Sequence, residues 1–224
     1  MPDVIFNGPA GRLEGRYQPS KIPQPPTVLI LHPHPQGGGT MNNKVVYHLF
    51  HTFVGHQFAA LRFNFRGVGR SQGSFDHGQG ELADAAAALD WLQAHNPDSP
   101  RCWIAGFSFG AWIGLQLLMR RPEIEGFITI APPANLYDFS FLAPCPASGL
   151  IIQGDKDELV PEADAAKLAH KLQAQRDIVI DFKVIKGANH FFVDHLEEMT
   201  SLIDKHLTKQ LAAPIGGRVA RAAS

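Results

Sequence analysis

Residues 101–122, RCWIAGFSFGAWIGLQLLMRRP, decide the fold. RCWIAGF is apolar on both alternating faces, as a strand covered on both sides of a sheet requires. AWIGLQLLMRR reads as helix. Arg120 and Arg121 are expected in its last turn, where cations suit the negative end of the helix dipole, and Pro122 is a stop signal. Between strand and helix lies GFSFG, 106–110. A turn this tight has no room for side chains two residues to either side of the serine, so Gly106 and Gly110 fit it. Strand, tight turn and helix make a nucleophile elbow, with the serine strained and its hydroxyl exposed. Ser108 is the expected nucleophile. The same G-x-S-x-G pattern recurs in GRSQG, 69–73, but there the loop SFDHGQG follows and no helix starts at once. Ser71 therefore reads as a turn residue. A loose dinucleotide-like glycine pattern in GVGRSQG is discounted for the same reason, since no helix begins there to receive a pyrophosphate.

Outward from this stretch, short apolar runs alternate with helix-like segments. The runs are 27–32, 58–65, 101–107, 126–131, 148–154 and 178–185, and the helical patterns are 43–56, 80–95, 111–121, 162–175 and 194–211. This alternation predicts an α/β fold with a mostly parallel, twisted sheet and helices on both faces. The first 20 residues are expected to add one or two short antiparallel strands at an edge. Residues 1–207 are expected to form one domain, and 208–224, rich in small residues with Pro and Gly, a flexible C-terminal tail.

A chain of 224 residues with 20 Lys+Arg against 21 Asp+Glu gives no reason to expect nucleic acid or an anionic membrane as partner. MPDVIFNGPAGRLEG has no basic stretch followed by a long apolar one, and no window approaches ~20 apolar residues, so a soluble, cytoplasmic protein is expected. Cys102 and Cys145 do not make a disulfide framework.

Ligands of such sheets bind beyond the carboxyl ends of the strands, so chemistry is sought in the loops there. A serine hydroxyl needs a positioned base, usually histidine, oriented by a carboxylate. After a nucleophile elbow these follow in the order acid, histidine. His170, His190, His195 and His206 come after Ser108. His170, His195 and His206 fall in helical patterns, whereas His190, in KGANHFF, stands in the loop after the last strand-like run and is the best base. For the acid, LIIQGDKDELVP offers Asp155, Asp157 and Glu158, with Asp138 a rival from the preceding loop. The residues alone do not choose among them.

GFSFG, GDKDELVP and GANHFF together resemble the α/β-hydrolase superfamily. LHPHPQGGGTMNNKVV with RFNFRGVGRSQGSF looks like its small, cap-less branch of bacterial serine hydrolases, and the likeness spans roughly residues 27–207. The resemblance implies Ser108 as nucleophile, His190 as base and, three residues after Gly154, Asp157 as acid. It also implies that Arg66–Gly73 is a structural loop near the site.

An acyl-transfer site needs N–H donors aimed at the developing oxyanion. Phe109, after the nucleophile, is one. The second is expected from His32-Pro33-His34-Pro35-Gln36; prolines have no N–H, which leaves His34 and Gln36, and the resemblance favours His34. His32 and His34 lack further partners at zinc-ligand spacing. The expected chemistry, hydrolysis of a small ester or thioester through an acyl-enzyme, calls for neither metal nor cofactor. Only 16 residues separate TIA from SGLII, so no substantial cap is expected, and Phe75, Phe109, Trp112, Phe191 and Phe192 are candidates to line an open pocket, Trp112 fitting the core better. Alternatives with the same three residues are a thioesterase or depalmitoylase, a peptidase, or a hydrolase-fold protein that binds without chemistry.

Overall fold

The computed structural model describes residues 3–212. A hairpin of β1 (Asp3–Gly8) and β2 (Gly11–Gln18) opens the chain. Then β3 (Thr27–Leu31), α1 (Lys44–Gly55), β4 (Ala59–Phe63), α2 (Gln79–Ala94), β5 (Cys102–Phe107) and α3 (Phe109–Leu118) alternate. The second half runs β6 (Ile124–Ile130), β7 (Ser148–Gly154), α4 (Glu162–Gln173), β8 (Ile180–Ile185) and α5 (Leu196–Leu211). The eight strands form one sheet in the order β1-β2-β4-β3-β5-β6-β7-β8. From β4 to β8 all neighbours are parallel, and β2 joins β4 antiparallel, so the N-terminal hairpin is the expected antiparallel edge.

Every residue of β3, β4 and β5 is buried, because both sheet faces are covered. On one face Leu89 of α2, Ile113 and Leu117 of α3 and Leu168 of α4 pack in one apolar cluster. On the other, Val45 and Phe50 of α1 pack with Met199 and Ile203 of α5. The chain leaves β3 toward β4 on one side and returns to β5 on the other. That reversal opens a crevice beyond the carboxyl ends of β3 and β5, where open α/β sheets bind ligands.

Two expectations about helix ends need correction. The flexible tail was expected from residue 208, but Thr208–Leu211 form the last turn of α5, anchored by buried Leu207, and residues 213–224 lie outside the described residues. Helix α3 stops at Leu118, so Arg120 and Arg121 lie beyond its last turn. Arg120 reaches back to donate to the Gln116 carbonyl (3.0 Å), and Arg121 pairs with Asp90 and Glu123, both at 2.7 Å.

Candidate active site

Ser108 caps α3 with φ 53° and ψ −119°, a conformation that costs a non-glycine residue on the order of 1–3 kcal/mol. The surrounding packing enforces it. Its N–H donates to the Ile130 carbonyl (2.9 Å), continuing the β5–β6 ladder by one residue before the chain reverses. A Cβ on Gly106 would strike the Gly110 backbone, and one on Gly110 would strike the Leu31 carbonyl and lie 2.6 Å from the His32 carbonyl oxygen. Both glycines exist because backbone passes backbone here.

His190 follows β8. Its Nε2 is 3.1 Å from Ser108 Oγ, and its Nδ1 is 2.8 Å from Asp157 Oδ2. His190 and Asp157 are buried, and Ser108 is half-buried at the opening. Asp157 Oδ1 accepts the N–H groups of Leu159 (2.9 Å) and Val160 (2.8 Å), and Oδ2 also accepts from the Gln153 amide (2.9 Å). Burial pushes this carboxyl up, but the hydrogen bonds from His190 and from the Val160 and Leu159 N–H groups outweigh it and hold it below the ordinary range. The rival carboxylates are turned elsewhere. Asp155 accepts from the Gly187 N–H (2.5 Å), Asp138 from the Ser140 N–H and hydroxyl, and Glu158 is exposed. Of the other late histidines, His206 pairs with Asp181 (2.9 Å), His195 caps α5 and His170 is exposed on α4.

The loop after β3 folds into a short 3-10 helix, Pro35–Gly37, whose first turn is capped by the His34 ring: the Gln36 N–H donates to His34 Nδ1 (3.2 Å). Of the two expected loop donors, Gln36 is thereby committed. The N–H groups of His34 and Phe109 have no acceptor among the described residues. Beneath them His32, fully buried, spans two loops, with Nδ1 on the Pro33 carbonyl (2.7 Å) and Nε2 accepting the Phe65 N–H (3.0 Å). Desolvation pushes its pKa down to about 4, so the ring is neutral at pH 7. With both nitrogens used, His32 does not converge with His34 on a common point.

The aromatic candidates divide. The His34 ring lies 4.8 Å from Phe75 and 5.0 Å from buried Phe109, so half-buried Phe75 stands at the opening. Phe191 is exposed, with its ring 5.2 Å from that of His190. Phe192 is a correction: it is fully buried in the α1–α5 core, because φ 54° turns the chain after Phe191 and sends the side chain inward. Trp112 is half-buried, stacked on Tyr137 at 4.3 Å, and its Nε1 donates to the Asp138 carbonyl (3.1 Å). Leu136, Leu159 and Val193, from three loops at the same sheet edge, are exposed, and the Asn135 amide ties the first of these loops to the Leu159 carbonyl (2.9 Å). Tyr137, the capping role of the His34 ring and Gln153 were not expected from the sequence. Only Gln153 had a visible signal, as a lone polar residue in the apolar run LIIQG.

The model of the X-Pro dipeptidyl-peptidase (S15) family matches residues 16–212. The chain belongs to this family of α/β hydrolases. An uncharacterized protein of Rickettsia prowazekii (strain Madrid E) is 54% identical over 211 residues, which cover 92% of this chain and 89% of the relative. A crystal structure from Agrobacterium tumefaciens, described as of unknown function and assigned to the alpha/beta hydrolases, is 61% identical with a TM-score of 0.93, covering 96% of this chain and 98% of that one. A serine hydrolase without a lid from Xanthomonas campestris is 34% identical with a TM-score of 0.86, covering 95% and 96%. The chain is thus a lidless serine hydrolase by family and fold. Among the described residues no helix is long and apolar enough to cross a membrane.

Proposed function

We propose that this hydrolase cleaves small carboxylic esters through an acyl-enzyme formed on Ser108. The observation that carries the reading is the unbroken relay Ser108 Oγ–His190–Asp157, at 3.1 and 2.8 Å, on a strained elbow. Ser108 Oγ attacks the ester carbonyl carbon while its proton passes to His190 Nε2. Asp157 keeps Nδ1 protonated and stabilises the imidazolium. The carbonyl oxygen becomes an oxyanion, received by the N–H groups of Phe109 and His34, which have no acceptor among the described residues. The C–O bond then breaks, the alcohol leaves with the proton from His190, and water, activated by the same base, releases the acid.

Exposed Leu136, Leu159, Phe191 and Val193 and half-buried Phe75 around the opening support an apolar group on the substrate. No metal or cofactor enters this scheme. The family match favours one second reading, a peptidase using the same residues, and a thioester carbonyl would meet the same groups.

Purified enzyme should hydrolyse p-nitrophenyl acetate and butyrate, and Ser108→Ala should lower kcat/KM at least about 1000-fold. A fluorophosphonate probe should label the wild type and not the variant. Full activity in Ser108→Ala would sink the reading. A panel of esters, thioesters and X-Pro anilides at one enzyme concentration separates the esterase from its two rivals.

A further inference from the structure

Gln153 lies at the end of β7, one residue before the turn glycine, and is fully buried. Three acceptors surround its amide nitrogen: Asp157 Oδ2 at 2.9 Å, the Val160 carbonyl at 2.9 Å and the Gly154 carbonyl at 3.4 Å. Those neighbours fix the orientation of the amide, since its oxygen in the same place would face three oxygens. Its two N–H groups go to Asp157 and Val160. The buried Oε1 accepts nothing from the described residues. An amide that leaves its oxygen empty is a poor space-filler, and an apolar chain of the same volume would serve that purpose better. What this position obtains from glutamine is the NH2 group.

We propose that Gln153 is the positioning residue for the acid of the relay, an inference that rests on reading Ser108, His190 and Asp157 as the reacting machinery. Asp157 Oδ1 is held by two backbone N–H groups, whereas among the described residues Oδ2 is shared between His190 and Gln153 alone. The second amide N–H holds the carbonyl of Val160, whose own N–H holds Oδ1. One buried side chain on a rigid strand thereby fixes both the carboxylate and the turn that carries it. Without that clamp the carboxylate pivots about its Oδ1 anchor, and Oδ2 leaves the line of the imidazole Nδ1–H.

Gln153→Met removes the donors at nearly constant volume. Its kcat, per active site titrated with a fluorophosphonate, is expected to fall about tenfold with KM within about twofold. The acid limb of its kcat/KM profile is expected to move downward, because Oδ2 displaced from the line of Nδ1–H stabilises the His190 imidazolium less. Gln153→Glu keeps the shape but sets a second carboxyl group against Asp157, so that the two share a proton. It should lose kcat per titrated site as well and shift the acid limb further, which keeps the test open should the methionine variant fail to fold. Wild-type kcat per titrated site and an unmoved acid limb in the folded variants would overturn the proposal. So would a loss confined to melting temperature, or a chain that folds with neither residue, because each assigns Gln153 to structure alone. Ser108→Ala is measured first, and retained activity there removes the underlying reading rather than the clamp.

Discussion

Two pentapeptides of this chain share the pattern G-x-S-x-G and do opposite things with it. In GFSFG the glycines let backbone cross backbone, and the serine adopts φ 53° with its Oγ facing one base. In GRSQG the glycines adopt positive φ themselves, 58° at Gly69 and 90° at Gly73, and the serine does not. There the Ser71 hydroxyl donates to the Asn64 carbonyl (2.7 Å) and accepts the Glu14 N–H (3.0 Å), stitching the loop to β2 and β4. The difference lies in what each oxygen has left to do. Ser71 spends its proton and a lone pair on backbone, whereas the Ser108 hydroxyl faces an imidazole and, in the proposed mechanism, keeps its lone pairs for a carbon.

The glycines separate the two turns most sharply. A methyl group at Gly110 meets the Leu31 and His32 carbonyl oxygens, two backbone groups of the central strand's end that cannot step aside. Gly110→Ala is expected to lose about 3 kcal/mol or more of stability, with kcat down more than tenfold, since any relaxation moves the elbow itself. Gly73→Ala meets Ala10 Cβ at 2.9 Å and a positive φ, a strain of about 1–2 kcal/mol that falls on Ala10 and Arg66 and not on the three relay residues. Its kcat per titrated active site should be unchanged. Denaturant unfolding and titrated kcat on both variants check this. Equal effects on kcat would mean that the two turns are not distinct in kind.

How much of this was legible in the sequence follows from the same contrast. Helix context alone separated the two serines, because a strand that runs straight into a helix has only one tight geometry. The strands were readable for a related reason: burial on both faces leaves unbroken apolar runs, so β3 to β8 sit within a residue or two of their expected bounds. Side-chain direction was not readable. Asp155, Asp157 and Glu158 are equivalent letters in one turn, and only the resemblance chose the aspartate that the fold aims at His190. Phe191 and Phe192 are likewise adjacent identical letters, separated by one positive φ that no local residue announces. Gln36 was a sound donor until the His34 ring turned back to take its N–H.

The two motifs meet at His32, where acid acts on both. Its carbonyl borders Gly110, and its Nε2 accepts the N–H of Phe65, just before the Ser71 loop. Its folded pKa of about 4 lies below the unfolded value of ~6.5, so the unfolded chain takes up the proton first. The resulting stability is fully present above pH ~6.5 and is lost as the pH falls toward 4, on the order of 3 kcal/mol in all. Glu14, which grips Arg70 and Asn64 in the Ser71 loop, is a carboxylate held below its ordinary range against its own burial by those hydrogen bonds. Its contribution is lost only as the pH falls further, through its own folded value. Unfolding free energies measured from pH 7 to 4 in the wild type and in His32→Gln should therefore converge toward the acid end. Parallel curves would deny His32 this part.

A mild test concerns Ser71, the serine outside the proposed relay. Ser71→Ala leaves the Glu14 N–H and the Asn64 carbonyl without their partner in a buried place, and two such losses cost about 2 kcal/mol together. The loop remains held by the Arg66–Asp84 pair, with guanidinium and carboxylate bonded at 2.8 and 2.9 Å, and by Arg70 on Glu14. Ester hydrolysis per titrated site should then stay within about twofold of wild type while the unfolding midpoint falls. A drop in kcat comparable to that of the Gln153 variants would show that the loop's placement reaches Phe75 and the substrate, and the two pentapeptides would then differ in distance from the chemistry rather than in role.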